Sequence, residues 1–149
     1  MKEPAVTDST SLIALEQVGH LELLPALFAP IEAPPAVERE FGRMPPWVTV
    51  AAPADAALAA ALRMLVDDGE AEAIALASER QWRVILDDLR ARAVAERMHL
   101  RIIGTVGILV RAKRAGLLPE VAPVLQSLSA SGFYLSEPLK MEVLRLAGE

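Results

Sequence analysis

The feature that most constrains the fold of this chain is a series of short apolar segments, separated by longer segments with helical spacing. Residues 5–7, 31–33, 83–86 and 100–103 are short, apolar and bounded by residues that end strands. Strands that are buried on both faces have this composition, because helices cover a parallel sheet on its two sides. The alternation therefore predicts an α/β fold with a mostly parallel central sheet. Residues 47–50 predict a further strand at the edge of that sheet.

Capping and stop signals divide the remaining segments into helices. Residues 9–11 and Asp55 can act as N-caps, because their side chains can accept hydrogen bonds from the first free N–H groups of a helix. Pro34-Pro35 suits the start of a helix, and Gly19 suits the position just after one. The predicted helices cover approximately residues 12–18, 21–28, 35–41, 56–65, 70–78, 90–97, 106–115, 120–130 and 137–146.

Acidic residues directly follow two of the predicted strands. Asp8 comes after residues 5–7, and Asp87 and Asp88 come after residues 83–86. Ligands of open α/β sheets bind beyond the carboxyl ends of the strands, so these side chains are expected to share a crevice. Because Asp87 and Asp88 are adjacent in extended chain, they point to opposite sides, and the spacing leaves open which one faces inward.

A second acidic pair, Glu70 and Glu72, lies at the start of a predicted helix. Residues two apart on a helix point about 200° away from each other, so only one of them can face the crevice fully unless Glu70 lies in an irregular first turn. Carboxylates that share a crevice raise each other's pKa unless protons or a cation neutralise them. Their oxygens suit Mg²⁺ or Mn²⁺, and the predicted chemistry is phosphodiester hydrolysis.

The composition excludes several other classes of protein. The chain has no Cys and two His, which argues against zinc sites, disulfides and cysteine nucleophiles. A net charge of −5 and an aromatic content of 4% are atypical of a general nucleic-acid binder. The 149 residues predict one domain over residues 1–149. No signal peptide or membrane helix is evident, so we expect a cytoplasmic protein without membrane contact.

Several motifs together resemble a known family. In order along the chain they are residues 6–15 (VTDSTSLIAL), 34–37 (PPAV), 69–77 (GEAEAIALA), 84–92 (VILDDLRAR) and 103–109 (IGTVGIL). This order resembles PIN domains, and more closely their DUF3368 branch, whose members are similar to VapC-type toxins. The resemblance extends over about residues 5–148.

The resemblance implies a three-layer α/β/α fold and a Mg²⁺- or Mn²⁺-dependent ribonuclease. It also implies an RNA substrate, a homodimer and, for the toxin branch, an antitoxin protein as partner. The residues that match the four acidic metal ligands of the family are Asp8, Glu40, Glu72 and Asp88.

Further positions follow from the same resemblance. Thr10 stands where the family has a hydroxyl near the metal, and Glu70 and Asp87 match additional acidic positions in an outer shell. Arg90 and Arg92 follow the acidic segment and could contact substrate phosphates.

The chain departs from the family pattern at three places. Ser11 stands where the branch commonly has Pro, and Glu72 replaces the more usual Asp. The short segment after Phe41 leaves the register open, so that Glu38 is an alternative to Glu40.

Two other function classes compete with the nuclease. One is a catalytically weak or inactive PIN-fold protein that acts by binding a partner, which would agree with the acidic charge and the few aromatic residues. The other is phosphoryl transfer through an aspartyl phosphate on Asp8. Haloacid-dehalogenase-like enzymes need a second Asp two residues later, where this chain has Thr10.

Overall fold

The central sheet has five strands, all parallel, in the order β3-β2-β1-β4-β5. These observations come from a computed structural model, which describes residues 2–149. The strands are β1 (Glu3–Thr7), β2 (Phe28–Ala33), β3 (Val48–Val50), β4 (Arg83–Ile85) and β5 (Ile102–Ile103). The helices are α1 (Ser9–Gln17), α2 (Leu23–Leu27), α3 (Pro35–Phe41), α4 (Ala56–Leu62), α5 (Asp68–Arg80), α6 (Leu89–Arg97), α7 (Thr105–Arg114), α8 (Ala122–Ala130) and α9 (Glu137–Leu146).

Helices cover both faces of the sheet, which confirms the predicted three-layer α/β/α fold. On β1, Ala5 belongs to one core with side chains from α1, α2 and α7 to α9. The next residue, Val6, belongs to a second core with Val84 and residues of α4, α5 and α6. Successive side chains of a strand point to opposite faces, so the buried central strands contribute to both cores.

The central strand places the first acidic residue. β1 pairs with β2 on one side and with β4 on the other, with Val6 opposite Glu32 and Val84. Because all five strands run the same way, their carboxyl ends meet at one edge of the sheet. Asp8, which directly follows β1, therefore lies at the middle of this carboxyl edge.

The opposite, amino edge of the sheet carries a cluster of arginines around one carboxylate. Glu3, at the start of β1, contacts Arg83 at 2.6 Å, Arg101 at 3.0 Å and Arg111 at 2.6 Å. The burial of Glu3 opposes ionisation, but hydrogen bonds from Arg111 and Arg83 outweigh it and hold the pKa of Glu3 below its ordinary value. One negative charge thus faces three positive charges at this edge.

Some predicted boundaries differ from the structure. The helix predicted over residues 21–28 ends at Leu27, and Phe28 already opens β2. Phe28 is already extended, and Pro30 keeps the intervening Ala29 out of the helical conformation, so the helix cannot continue. The helix predicted over residues 56–65 ends at Leu62, and Arg63 is its C-cap.

The start of α7 also differs from the prediction. The helix is predicted over residues 106–115, whereas Gly104 is its N-cap and Thr105 is its first residue and is fully buried. Within residues 2–149, no helix is long and apolar enough to cross a membrane.

Candidate active site

Asp8 is a buried carboxylate with one unpartnered oxygen. It is the N-cap of α1, where its Oδ1 accepts a hydrogen bond of 3.0 Å from the backbone N–H of Ser11. Its Oδ2 is buried and has no hydrogen-bond partner among residues 2–149. Burial, and then the nearby charge of Asp87, raise the pKa of Asp8 well above its ordinary value. This position therefore favours a bound proton or a bound cation.

Asp87 is the acidic neighbour of Asp8 at the end of β4. Its Oδ1 accepts a hydrogen bond of 2.8 Å from the backbone N–H of Thr105. Its Oδ2 accepts from the hydroxyls of Ser11, at 2.9 Å, and of Thr105, at 2.6 Å. These contacts fasten the end of β4 to the first turns of α1 and α7. Of the adjacent pair that the sequence left open, Asp87 is the member that the structure brings to Asp8.

Ser11 and Thr105 are site residues that sequence analysis missed. Both are fully buried, and their hydroxyl oxygens lie 3.0 Å apart. Thr10, the predicted site hydroxyl, is exposed on α1. The next residue along the helix is turned by about 100°, so Ser11 rather than Thr10 faces Asp8. The signal for Thr105 was its place directly after a strand and Gly104, at the same edge of the sheet as Asp8.

Gly104 allows the close approach of α7 to Asp87. A Cβ at this position would lie 2.9 Å from Asp87 Oδ1 and 2.7 Å from Arg92 Nη1, closer than real Cβ atoms come. Arg92 Nη1 donates a hydrogen bond of 3.0 Å to the backbone carbonyl of Leu86. Arg92, a predicted phosphate contact, is thus half-buried on α6 and bound to the backbone directly after β4.

Asp88 has a different environment from Asp87. It is exposed and is the N-cap of α6, where its Oδ2 accepts a hydrogen bond of 2.9 Å from Ala91 N–H. It lines a cleft at the carboxyl edge together with Glu70 and the exposed Arg90. The structure thus places Asp88 on the open side of the site.

Glu70 lies across this cleft in a capping box at the start of α5. Its N–H donates to Asp67 Oδ1 at 2.8 Å, and its Oε1 accepts from Asp67 N–H at 3.2 Å. Burial, the charge of Asp67 and then that of Asp88 raise the pKa of Glu70 to about 7. Glu70 can therefore hold or release a proton near neutral pH.

Glu40 approaches the same helix from α3. A side chain at Gly69 would collide with the Glu40 carboxylate, so this glycine makes room for it. Burial and the charge of Asp67 raise the pKa of Glu40, and Ser9 opposes the shift by hydrogen bonding. Both candidates on α3 are exposed, and Glu40 is the one whose carboxylate contacts the acidic start of α5.

Glu72, a predicted metal ligand, is already paired within the protein. It is buried, and its Oε1 accepts a hydrogen bond of 3.1 Å from Ala36 N–H at the start of α3. Its Oε2 contacts Arg63 Nη2 at 2.8 Å, with Arg39 Nη2 at 4.0 Å. Glu70 and Glu72 therefore point in different directions, as predicted. Glu70 faces the cleft, whereas Glu72 contacts α3 and the end of α4 from its place on α5.

Two adjoining clefts run along this edge of the sheet, with volumes of about 540 and 430 Å³. They share Arg63, Val66 and Asp67, so together they form one crevice, which we call the acidic cleft. Its other lining residues are Ala36, Arg39, Glu40, Met64, Leu65, Asp68, Glu70, Asp88 and Arg90.

The predicted ligands do not converge on one point. Among residues 2–149, no three acidic or histidine side chains lie close enough to surround a single metal ion. The reasons are local, because Glu72 is held by Arg63 and Asp88 is turned to cap α6. The structure instead brings Asp8 and Asp87 together, with Glu40, Glu70 and Asp88 along the acidic cleft.

A comparison with known protein families agrees with this architecture. The DUF3368 family model, described as a PIN domain, matches residues 4–149. No curated protein matches the chain. PIN domains are nuclease-like and generally depend on divalent metal ions. Because the match covers almost the whole sequence, the chain belongs to the DUF3368 family of PIN domains.

Proposed function

We propose that this protein is a Mg²⁺- or Mn²⁺-dependent endoribonuclease that hydrolyses phosphodiester bonds of RNA at the carboxyl edge of the sheet, where Asp8, Asp87 and the acidic cleft lie. The observation that carries the proposal is the buried, unpartnered Oδ2 of Asp8 beside Asp87. A buried carboxylate oxygen without a donor is costly, and a cation would neutralise it.

The donor set is suited to such an ion. All the side chains concerned offer oxygen ligands, which hard divalent cations prefer. Mg²⁺ usually keeps several waters and binds through one or two carboxylates plus substrate phosphates. Asp8 and Asp87 could therefore hold it without a third carboxylate, although Asp8, Glu40, Glu72 and Asp88 remain the ligand set that the family resemblance implies. When bound, the ion would supply an activated water and stabilisation of charge on the phosphoryl oxygens.

The residues around the pair have separate roles in this proposal. Ser11 and Thr105 orient Asp87 through their hydrogen bonds, as partners of a metal ligand do. Glu70 is placed to exchange a proton within the cleft, because its pKa is about 7. Arg90 is exposed on the cleft wall and offers a cationic contact for a substrate phosphate.

The wider biological role rests on the family resemblance alone. We propose that the protein acts in the cytoplasm as the toxin of a toxin–antitoxin pair and forms a homodimer. A toxin of this kind would arrest growth when expressed alone, and an antitoxin protein encoded beside it would restore growth.

The decisive experiment compares Asp8→Asn with the wild type in Mn²⁺-dependent cleavage of single-stranded RNA. The substitution should abolish cleavage, because it removes the charge that attracts the ion. Asp55→Asn is the matched control, because Asp55 is also a helix N-cap aspartate, accepting 3.0 Å from Leu58 N–H, and is exposed. Cleavage by Asp8→Asn at the wild-type rate, with unchanged circular dichroism, would refute the catalytic assignment.

A second candidate function is a PIN-fold protein that binds a partner without catalysis. The ion pair between Glu72 and Arg63 favours it, because this pair occupies one of the predicted ligands. A wild-type protein that neither cleaves RNA nor gains thermal stability from Mn²⁺ would support this function.

A further inference from the structure

Arg63 places a positive charge of the protein itself among the carboxylates that are expected to attract a metal ion. It is the C-cap of α4 and lines both parts of the acidic cleft. Its Nη2 contacts Glu72 Oε2 at 2.8 Å, and the Glu72 side chain is only 8% exposed. The guanidinium thus neutralises the most buried carboxylate among the predicted ligands other than Asp8.

Both oxygens of Glu72 are engaged in this arrangement. Oε1 accepts from Ala36 N–H at 3.1 Å, and Oε2 is bound by Arg63. A carboxylate oxygen can accept two contacts, as Asp87 Oδ2 does, but a guanidinium and a divalent ion on the same oxygen would repel each other. Arg63 must therefore move away before Glu72 Oε2 can bind the ion. A charge-assisted hydrogen bond to a buried carboxylate is among the stronger polar contacts in proteins, so this release has a substantial cost.

Arg63 has a second partner within reach. Its Nε lies 3.8 Å from Oδ1 of Asp68, which is 73% exposed at the start of α5. Arg63 itself is 38% exposed, on the segment that joins α4 to α5. The guanidinium could therefore leave Glu72 and keep an acidic neighbour at the cleft surface, without becoming isolated.

We propose that Arg63 competes with the divalent ion for Glu72, so that Glu72 can join the metal site only when the guanidinium moves from Glu72 toward Asp68. This inference rests on the proposed function. It assigns Arg63 as a positioning residue that limits metal affinity in the free protein.

The test is the affinity of the full chain for Mn²⁺, measured by isothermal titration calorimetry without RNA. Arg63→Ala should bind Mn²⁺ about tenfold more tightly than the wild type, because the competing cation is gone. Arg90→Ala is the matched control, because Arg90 also lines the acidic cleft and its loss changes the net charge equally. Its effect should stay below about threefold, since exposed charges interact weakly through water.

A double substitution separates competition at Glu72 from a general change in charge. In a Glu72→Gln background, Arg63→Ala should give no further gain in Mn²⁺ affinity, because the shared partner is absent. If Arg63→Ala does not fold, because it leaves Glu72 buried without its cation, Arg63→Gln keeps an amide donor and should show the same gain.

The outcomes distinguish this inference from the proposed function. Equal Mn²⁺ affinity of the wild type and of the folded Arg63 variant would overturn the inference alone, as would a gain that persists with Glu72→Gln. If Asp8→Asn binds Mn²⁺ as tightly as the wild type, the proposed metal site at Asp8 is refuted, irrespective of the result for the Arg63 variants. A wild type and variants that all bind no Mn²⁺ would overturn both.

Discussion

Thr105 binds Asp87 twice, through its backbone N–H at 2.8 Å and through its hydroxyl at 2.6 Å. The first residue of α7 thereby holds the carboxylate at the end of β4 in one orientation. Because Thr105 is fully buried, its hydroxyl cannot be replaced by water without a rearrangement.

Thr105→Val should weaken both the fold and the site. Valine has the same shape and keeps the backbone hydrogen bond, but Asp87 Oδ2 loses one of its two donors. We expect a loss of about 1–2 kcal/mol in the free energy of unfolding, measured in urea, and a lower Mn²⁺ affinity. Thr10→Val, at an exposed position, is the control and should change neither. A larger effect of Thr10→Val on Mn²⁺ binding would restore Thr10 as the site hydroxyl.

The pair Asp87 and Asp88 offers a direct comparison of two adjacent carboxylates. Asp87→Asn should reduce Mn²⁺ affinity more than Asp88→Asn, because Asp87 is the neighbour of the unpartnered Asp8. Asp88 is exposed and caps α6, and its amide replacement keeps an oxygen for that cap. Calorimetric titration of both variants with Mn²⁺ measures the two affinities. A larger loss of affinity in Asp88→Asn than in Asp87→Asn would favour the ligand set that the family resemblance implies.

The loss of a proton from Glu70 should lower the free energy of unfolding of the metal-free protein as the pH rises. The pKa of Glu70 is about 7 in the folded protein and 4.5 ordinarily, so the folded state binds its proton more tightly. The stability that this proton contributes is complete below the unfolded pKa and is lost as the pH rises through 7. Asp8, with a raised pKa, acts in the same direction.

The measurement is the urea midpoint in EDTA at several pH values across this window. The wild type should lose stability relative to Glu70→Gln as the pH rises, because glutamine does not titrate. Mn²⁺ should reverse part of this loss, since an ion can take the place of the protons. Parallel curves for the two proteins would show that Glu70 titrates at its ordinary pKa.

Glu149 should contribute to stability with the opposite pH dependence. Its Oε2 accepts from Val121 N–H at 2.7 Å and contacts Lys113 Nζ at 2.9 Å, and its Oε1 accepts from Ala122 N–H at 3.0 Å. The hydrogen bond from Val121, followed by that from Lys113, lowers the pKa of Glu149 to about 2. Its contribution is therefore present above its ordinary pKa and is lost as the pH falls through about 2.

Glu149→Gln should lower the melting temperature at neutral pH, and the difference from the wild type should shrink in acid. Glu137→Gln is the control, because Glu137 is 81% exposed and its ion pair, with Lys140 at 3.3 Å, lies on its own helix. Equal melting temperatures of the wild type and Glu149→Gln at neutral pH would contradict the prediction.

The sequence allowed the fold and part of the site to be predicted, because those parts follow local rules. The strand that ends before Asp8 and the strand that ends before Asp87 are short apolar runs, and parallel strands bring their carboxyl ends to one edge. Strand geometry showed that Asp87 and Asp88 point apart, but it could not tell which one meets Asp8. That choice depends on Thr105, which lies on a helix further along the chain.

The remaining part of the site depends on contacts that no local pattern encodes. Glu72 matched a metal ligand of the family, yet Arg63 reaches it from the end of another helix. Whether a buried carboxylate meets a guanidinium or remains without a partner, as Asp8 Oδ2 does, is decided by how the helices pack.

The arginine cluster around Glu3 makes the distribution of charge uneven between the two edges of the sheet. Three guanidiniums share one carboxylate at the amino edge of the sheet, whereas carboxylates collect at the carboxyl edge. A polyanion is attracted to the first edge and repelled by the second until cations gather there. Binding should therefore follow an order, with divalent ions first and the nucleic acid second. Rapid mixing would reveal this order as a lag when RNA and metal are added together, which disappears when the metal is added beforehand.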